Sequence, residues 1–529
     1  MINTLLTQIY EYKHLMLNIR TTLFLFILFL LLSLISVSSA DEYKSNRLLI
    51  KFNPQNAKVS YWKVLNESMS SPHVLIQENM SNFGLDGLID GYPIDYWTKK
   101  AGGWSINQNL DEIIFELKSD DLPFELRKFW KFYQNTYQAD LSFELISKKK
   151  LEDIDLFFNL GPGIGEKTID GLGVSESTYS FTEFIYNTSD IQTKKLKDKD
   201  EVFLLDKLQN PKWAGLHSRY FLFILKTKDK FSDIKLFIEN VNNEDNISLD
   251  STIKIDLPLS SLQKNKKHIS SFELFGGTKT KSDLSAALLD EILFESLWSW
   301  MRYIVLAIMV VLYWINNFIF NWGISIIILS ILVRVVIHPI AKKAIQSQQE
   351  FAKLQDIMQP QIKEIKKNFK GGEQSERILN IYEKYNTSPL ASFKPLLALG
   401  IQIPIFIALF HLLGQTFELK EASFLWIDSL AEPDKFFSLG REIPFFGSYF
   451  NLLPVLMSLT NLLSIKISSV TSDDSKTNIG QNISLGLMTV GFFLLFYSFP
   501  SGMVLYWTMA NVLHLGYCLI TIKSRSIKV

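Results

Sequence analysis

The sequence predicts a mixed fold: an exported all-β domain joined to a polytopic α-helical membrane core of five helices, preceded by one N-terminal signal-anchor helix. Three observations carry that prediction. A basic-then-apolar leader opens the chain, residues 41–295 are polar and alternate with period two, and residues 303–522 hold several long apolar runs. With 529 residues there is room for more than one domain. Formal net charge is zero, so no global field favours nucleic acid, and no sequence-specific nucleic-acid binding is expected. The single cysteine, Cys518, rules out an internal disulfide framework and a thiolate metal site. The seven histidines fall in no ligand spacing, and no phosphate-binding loop or nucleophile elbow stands in a convincing context. No metal, no cofactor and no catalytic residue is expected.

Residues 1–40 are a targeting segment. Lys13 and Arg20 precede TLFLFILFLLLSLISVSSA, and Asp41–Glu42 follow. Two outcomes compete: a retained signal anchor, and a signal peptide removed after Ser38-Ser39-Ala40, with Met16 as a second possible start. Either sends residue 41 onward across the membrane.

Residues 41–295 read as a β-sandwich. RLLIKF, KVSYWKVL, DEIIFELKS, DLSFELISK, YSFTEFIYN, RYFLFILKT, DIKLFIENV and STIKIDLPL alternate apolar with polar, as half-buried strands do. GLDGLIDGYP and GPGIGEK read as turns between them. Asp120–Asp121 look like a solvated turn rather than a catalytic dyad. A helical stretch, SDLSAALLDEILFESLWSWM, then leads back to the membrane.

Residues 296–321 pose a choice between spanning the bilayer and lying along its outer interface, with Trp298, Trp300 and Trp314 at headgroup level. Charge decides it. Residues 342–394 carry ten Lys/Arg against six Asp/Glu, and 417–448 carry three against six. The positive-inside rule places the first segment in the cytoplasm and the second outside. Only one crossing fits between an external residue 295 and a cytoplasmic residue 342, so 296–321 is expected to be an interfacial amphipathic helix.

That crossing opens the core, 322–529. Its stretch NWGISIIILSILVRVVIHPIAKK has nineteen apolar-rich residues from Gly323 to Ala341, enough for a span. Arg334 sits inside it, where insertion scales charge about 2.5–3.5 kcal/mol. Ser330 and His338 stand four residues to either side, on the same helical face. Such a stripe faces a wet cavity or a polar partner; the bland alternative is an arginine that snorkels toward Lys342–Lys343. Residues 342–392 form a cytoplasmic helical hairpin turning at Gly371–Gly372, with Pro360 expected to kink its first helix. A solvated connector and a docking platform explain that hairpin equally well. Four more apolar runs complete five crossings, and each carries a few uncharged polar residues such as Gln402, Asn461 and Asn511. Singly, these read as helix–helix hydrogen bonds worth about 0.6 kcal/mol. Together with Arg334 they can line a hydrophilic recess.

The core also resembles a known family. NWGISIIILSILVRVVIHPIAKK, SPLASFKPLLALGIQIPIFIALFHLL, ELKEASFLWIDSL and FPSGMVLYWTMANVL are similar, in order and spacing, to the YidC/Oxa/Alb membrane protein insertases. A large exported β-domain ahead of the core resembles the Gram-negative YidC form. The resemblance implies a periplasmic β-supersandwich and a bacterial inner-membrane location, with the hairpin and the C-terminal tail in the cytoplasm. It implies a substrate groove with its arginine at Arg334, further polar positions at Ser330, Gln402 and Asn511, and substrate-contacting aromatics at Tyr506 and Trp507. Ala510 departs from relatives that carry a hydroxyl there. Implied partners are nascent membrane proteins, the Sec translocon, the ribosome and the lipid bilayer, although the short basic tail weakens the case for a tail-mediated ribosome contact. The implied function is a membrane protein insertase and chaperone, working alone or with Sec, and not an enzyme. A small-anion transporter or channel built on Arg334 is the alternative, disfavoured by the lack of internal inverted repeats. A ligand sensor built on the β-domain is a third.

Overall fold

A computed structural model describes residues 41–65, 73–76, 83–161, 164, 182–194, 203–205, 211–227, 234–243, 246–388, 396–444, 446–471 and 479–526. The choice between anchor and cleaved signal at 1–40 lies outside these residues, as do most of the GPGIGEK loop, residues 389–395 and the tail from Ile527.

The N-terminal part is a large β-sandwich region and the C-terminal part is helical. A four-stranded meander runs Glu42–Lys44, Leu48–Asn53, Lys58–Val64 and His73–Ile76. A nine-stranded antiparallel sheet is zipped at its centre by Lys267–Thr278. That strand pairs Gln138–Ser147 on one side and Phe221–Thr227 on the other. A six-stranded sheet containing Gly84–Ile89, Asp155–Leu160 and Asn246–Asp256 packs against it. Their shared core is aromatic: Phe158 lies 5.7 Å from Phe143 and 5.5 Å from Phe83, and Trp62 lies 5.0 Å from Phe223. The indole of Trp62 donates to the Gly276 carbonyl at 3.1 Å, so its polar edge is satisfied inside the core.

Two expectations change here. GLDGLIDGYP is a strand over Gly84–Ile89 rather than a turn, with Leu85 and Ile89 buried. Its glycines serve close approach: a Cβ on Gly87, at φ +127°, would lie 2.0 Å from the Asp155 carbonyl. SDLSAALLDEILFESLWSWM is not one helix. Only Lys281–Ala286 and the single turn Asp290–Ile292 are helical before the next helix begins at Ser299. Leu288 and Phe294 adopt positive φ, while Leu289, Ile292, Leu293 and Phe294 turn into the core. Arg302 satisfies the carbonyls this break releases, donating to Asp290, Glu291 and Leu293 at 2.8–3.2 Å.

The helical part comprises α1 (Ser299–Ile319), α2 (Trp322–Asn368), α3 (Gly371–Lys384), α4 (Leu396–Gln415), α5 (Leu452–Thr471), α6 (Ile479–Phe496) and α7 (Ser501–Ser526). Among the described residues, Ser299–Ile319 and Trp322–Ile340 are each long and apolar enough to cross a membrane. Gln402–Gln415, Leu452–Ile467 and Gly486–Phe496 are shorter apolar helices. One face of α1 is buried through Met301, Val305, Met309, Leu312 and Ile315, while Trp298, Trp300, Tyr303, Trp314 and Phe318 are exposed on the other. Helix α2 runs without interruption past Pro339 and Pro360 into the hairpin, where Met358 and Ile362 pack on Ile381 of α3. One cluster of buried side chains extends from Tyr43 in the first strand to Tyr506 in α7.

One core position is unusual. Strand Phe124–Phe132 buries Phe124, Leu126, Trp130 and Phe132, and with them Lys128, which is 1% exposed. Its ammonium donates to the carbonyls of Asn56 and Ala57 at 3.1 and 3.2 Å and sits 4.5 Å from the Trp104 ring. Burial, with the like charge of Lys58 adding to it, pushes its pKa down to about 7. An amine that is depressed in the fold and ordinary when unfolded binds fewer protons folded. Stability is therefore expected to rise with pH from about 7 toward the ordinary lysine value, by at most about 1.4 kcal/mol per pH unit. Guanidinium unfolding of the purified chain, followed by tryptophan fluorescence at pH 7 and pH 9, measures this. Lys128→Met should flatten the slope and leave the β-sandwich at least as stable.

Candidate functional site

Helices α2 and α7 meet along a polar seam. Ser330 is fully buried and its hydroxyl donates to the Tyr506 carbonyl at 3.1 Å. One turn further, the Nη2 of Arg334 donates to the Ala510 carbonyl at 3.4 Å. The four-residue step from Ser330 to Arg334 thus meets an equal step on α7, giving two rungs of one ladder. Arg334 is otherwise exposed at the protein surface, so it is not enclosed in a pocket. Asn511, half-buried beside the second rung, reaches α5 through the Met457 carbonyl at 3.4 Å. The polar contacts continue onto α6, where Asn461 of α5 donates to Thr489 at 3.2 Å.

The six candidate residues do not all converge. Ser330, Arg334 and the backbone of Tyr506 stand together, with Asn511 next to them. The ring of Tyr506 is buried, 3% exposed, and Trp507 points into a separate aromatic group. Its indole lies 5.7 Å from Phe406, 5.2 Å from Phe496 and 6.3 Å from Phe492, so it joins α7 to α4 and α6. Gln402 is half-buried on α4.

Spacing did not reveal the closure at the opposite end of these helices. Residues 421–434, inside the acidic segment, fold over the N-termini of three of them. The Phe424 ring lies on α2 at Gly323, where a Cβ would come within 2.1 Å of it. The carbonyls of Glu432 and Leu430 accept from the Ser501 and Gly502 amides at 2.7 and 2.8 Å, and the Ser429 carbonyl accepts from the Ser501 hydroxyl at 2.9 Å. These are first-turn groups of α7 that no intrahelical bond can reach. Asp434 does the same for α5. Its Oδ2 accepts from Leu452 and Leu453 at 2.8 and 2.9 Å, and from the Trp426 indole at 3.1 Å. Burial raises this carboxyl above its ordinary pKa, and the bonds from Leu453, Trp426 and Leu452 pull it back. Asn451 adds a second tie, donating to the Tyr497 carbonyl at 2.7 Å. The signal in the sequence was the run WIDSLAEPD, whose acids and proline suit caps and turns.

The family described as 60Kd inner membrane protein matches residues 314–528. A protein named membrane protein insertase YidC from Treponema denticola is 27% identical over 460 residues, covering 78% of this chain and 75% of its own length. The protein of that name from Wigglesworthia glossinidia brevipalpis is 28% identical over 398 residues, 72% of this chain and 66% of its own. That from Aquifex aeolicus is 34% identical over 221 residues, 41% of this chain and 38% of its own. The chain thus spans from about two fifths to about two thirds of the length of the last two. A solved structure described as an active YidC insertase with its first transmembrane domain resolved aligns over 94% of this chain and 99% of that one, with TM-score 0.34 and 16% identity. These relatives are named insertases, not enzymes.

Asp434→Ala is expected to lower the melting point of the detergent-solubilised chain by the equivalent of about 1–2 kcal/mol, because it strands two helix amides and an indole N–H. Asp434→Asn keeps an acceptor oxygen and sheds the buried charge, so it should recover most of that loss. Differential scanning fluorimetry of the three proteins compares them.

Proposed function

Because the chain belongs to the YidC/Oxa/Alb family of membrane protein insertases, we propose that it moves transmembrane segments of client proteins from the cytoplasm into the inner membrane along the α2–α7 seam. The observation that carries this reading is the exposed guanidinium of Arg334, held by one long bond to a main-chain carbonyl of α7. Such a cation is fixed in place but remains available to a visitor.

The difficulty for an incoming helix lies in its polar flank, since each unsatisfied group taken into hydrocarbon costs several kcal/mol. A polar seam lowers that barrier. Arg334 attracts acidic or polar residues of the flank, Asn511 keeps the wall beside it polar, and the buried Ser330 fastens α2 to α7. The client's apolar segment meanwhile partitions sideways into lipid. No bond is made or broken, so no nucleophile or cofactor is needed. The segment 421–434 closes the far end, which leaves entry from the cytoplasmic side.

The charge distribution supports the matching topology. It comprises a signal anchor or cleaved signal peptide at 1–40, an external β-domain over 41–295, α1 along the outer interface, a five-helix core over 322–529 and a cytoplasmic hairpin at 342–392. In this reading Tyr506 serves the seam through its carbonyl, Trp507 sets the spacing of α4 and α7, and Gln402 is a polar position on α4 beside the client path. The hairpin is the surface offered to the ribosome and the Sec translocon, with the chaperone role following from holding clients in the seam.

Arg334→Ala is expected to reduce insertion of a single-span client with an acidic flank about tenfold, the equivalent of 1.4 kcal/mol. Arg334→Lys should retain most activity, since the charge rather than the planar fork is what attracts the flank. Protease protection of the client in proteoliposomes measures both. Full insertion by the alanine variant would sink the seam as the client path.

A further inference from the structure

The β-domain grips the outer closure of the membrane helices at one corner. Arg219 lies in the turn between strands Trp213–His217 and Phe221–Thr227. Its Nε donates to the Gly414 carbonyl at 2.7 Å and its Nη2 to the Ala431 carbonyl at 2.8 Å. Gly414 is the penultimate residue of α4, so its carbonyl is among the last four, which find no partner within the helix and carry the negative end of its dipole. Ala431 is buried within the closing segment. One guanidinium therefore joins three bodies: the β-domain, the end of α4, and the segment that caps α2, α5 and α7.

The grip has a second point. His73, from the edge strand of the four-stranded sheet, meets Glu421 at 2.9 Å, and the two side chains are 4% and 8% exposed. Between the two points the Phe417 ring packs against Tyr220, Phe221 and His73 at 5.9–6.3 Å. The Lys420 ammonium lies 5.4 Å from the Tyr220 ring. The single turn Phe417–Lys420, which links α4 to the closure, thus packs on the β-domain through Phe417 and Lys420.

We propose that the β-domain is a lock on the closure, with Arg219 as its main bolt: it keeps residues 421–434 seated on the helix N-termini and so keeps the seam shut at that end. This rests on the proposed function only for what the seam is used for; the lock itself is a property of the resting chain. The bonds that close the seam, from residues 429–434 to Ser501, Gly502, Leu452 and Leu453, lie in the same short segment whose Ala431 carbonyl Arg219 holds, so that grip bears directly on them.

Hydrogen exchange of the full chain in lipid nanodiscs tests this without any client. Arg219→Met should speed exchange of peptides containing Leu452–Leu453 and Ser501–Gly502 by at least about tenfold, the equivalent of 1.4 kcal/mol. Peptides from the sandwich core at Phe124–Phe132 should be unchanged. Unaltered exchange at both helix starts overturns the proposal. If the sandwich core also loosens in that variant, Glu421→Ala, which removes the His73 contact from the membrane side and leaves the β-domain sequence intact, is read by the same criterion and decides the matter. Arg334→Ala should leave all these rates as they are, so a failure of the insertion reading is distinguishable from a failure of the lock.

Discussion

The contact between α2 and α7 solves a constraint that the membrane imposes. Hydrocarbon offers no partner for a polar group, so a helix bearing Ser330 and Arg334 must find acceptors on its neighbour. It finds them in the carbonyls of Tyr506 and Ala510. A carbonyl has two lone pairs, and one already serves the intrahelical bond four residues on, so the second is free to accept without unwinding α7. The seam therefore adds polarity to the core and takes nothing from the backbone of either helix. It also explains why Ala510 suits its position: the acceptor is main chain, and a small side chain lets the guanidinium approach.

A polar seam would be a leak if both ends were open, and the closure at 421–434 follows the same economy of main-chain groups. Helix N-termini are where unsatisfied amides gather, and α5 and α7 present theirs side by side. The closing segment supplies carbonyls and one carboxylate to those amides, while Phe424 fills the space over Gly323. The β-domain supplies the complementary group, a cation, to the carbonyl end of α4. The starts of α5 and α7 and the end of α4 are thereby met by the charge their dipoles favour.

How much of this was legible in the sequence depends on the range of the interaction. The Ser330–Arg334 stripe is a four-residue step on one helix and could be read directly. So could strands such as Glu112–Leu117, where alternation is unbroken. Strand Phe124–Phe132 was missed because Lys128 occupies an inward position, and a lysine there reads as polar unless its carbonyl partners at Asn56 and Ala57 are known. Lys267–Thr278, the central strand, was missed for its serines and its paired glycines. Gly84–Ile89 read as a turn because glycine marks both turns and close strand approach. The break after Ala286 depends on Arg302 reaching back to three carbonyls, and Trp507 depends on rings from two other helices. The closure is the extreme case: its bonds join residue 430 to 502 and 434 to 452, separations that no local pattern encodes.

The prolines of α2 tie the seam to the hairpin. A proline inside a helix has no N–H to give the carbonyl four residues earlier. Pro339 therefore leaves the Val335 carbonyl without its helical donor, immediately beside Arg334, and Pro360 does the same to Asp356 in the hairpin. The first adds an acceptor to the polar surface at the point where α2 leaves its contact with α7. It also weakens the helix between two anchored regions, the ladder at Ser330 and Arg334 above and the Met358–Ile362–Ile381 packing below. A helix continuous in its backbone but short of a bond at one turn bends most easily there.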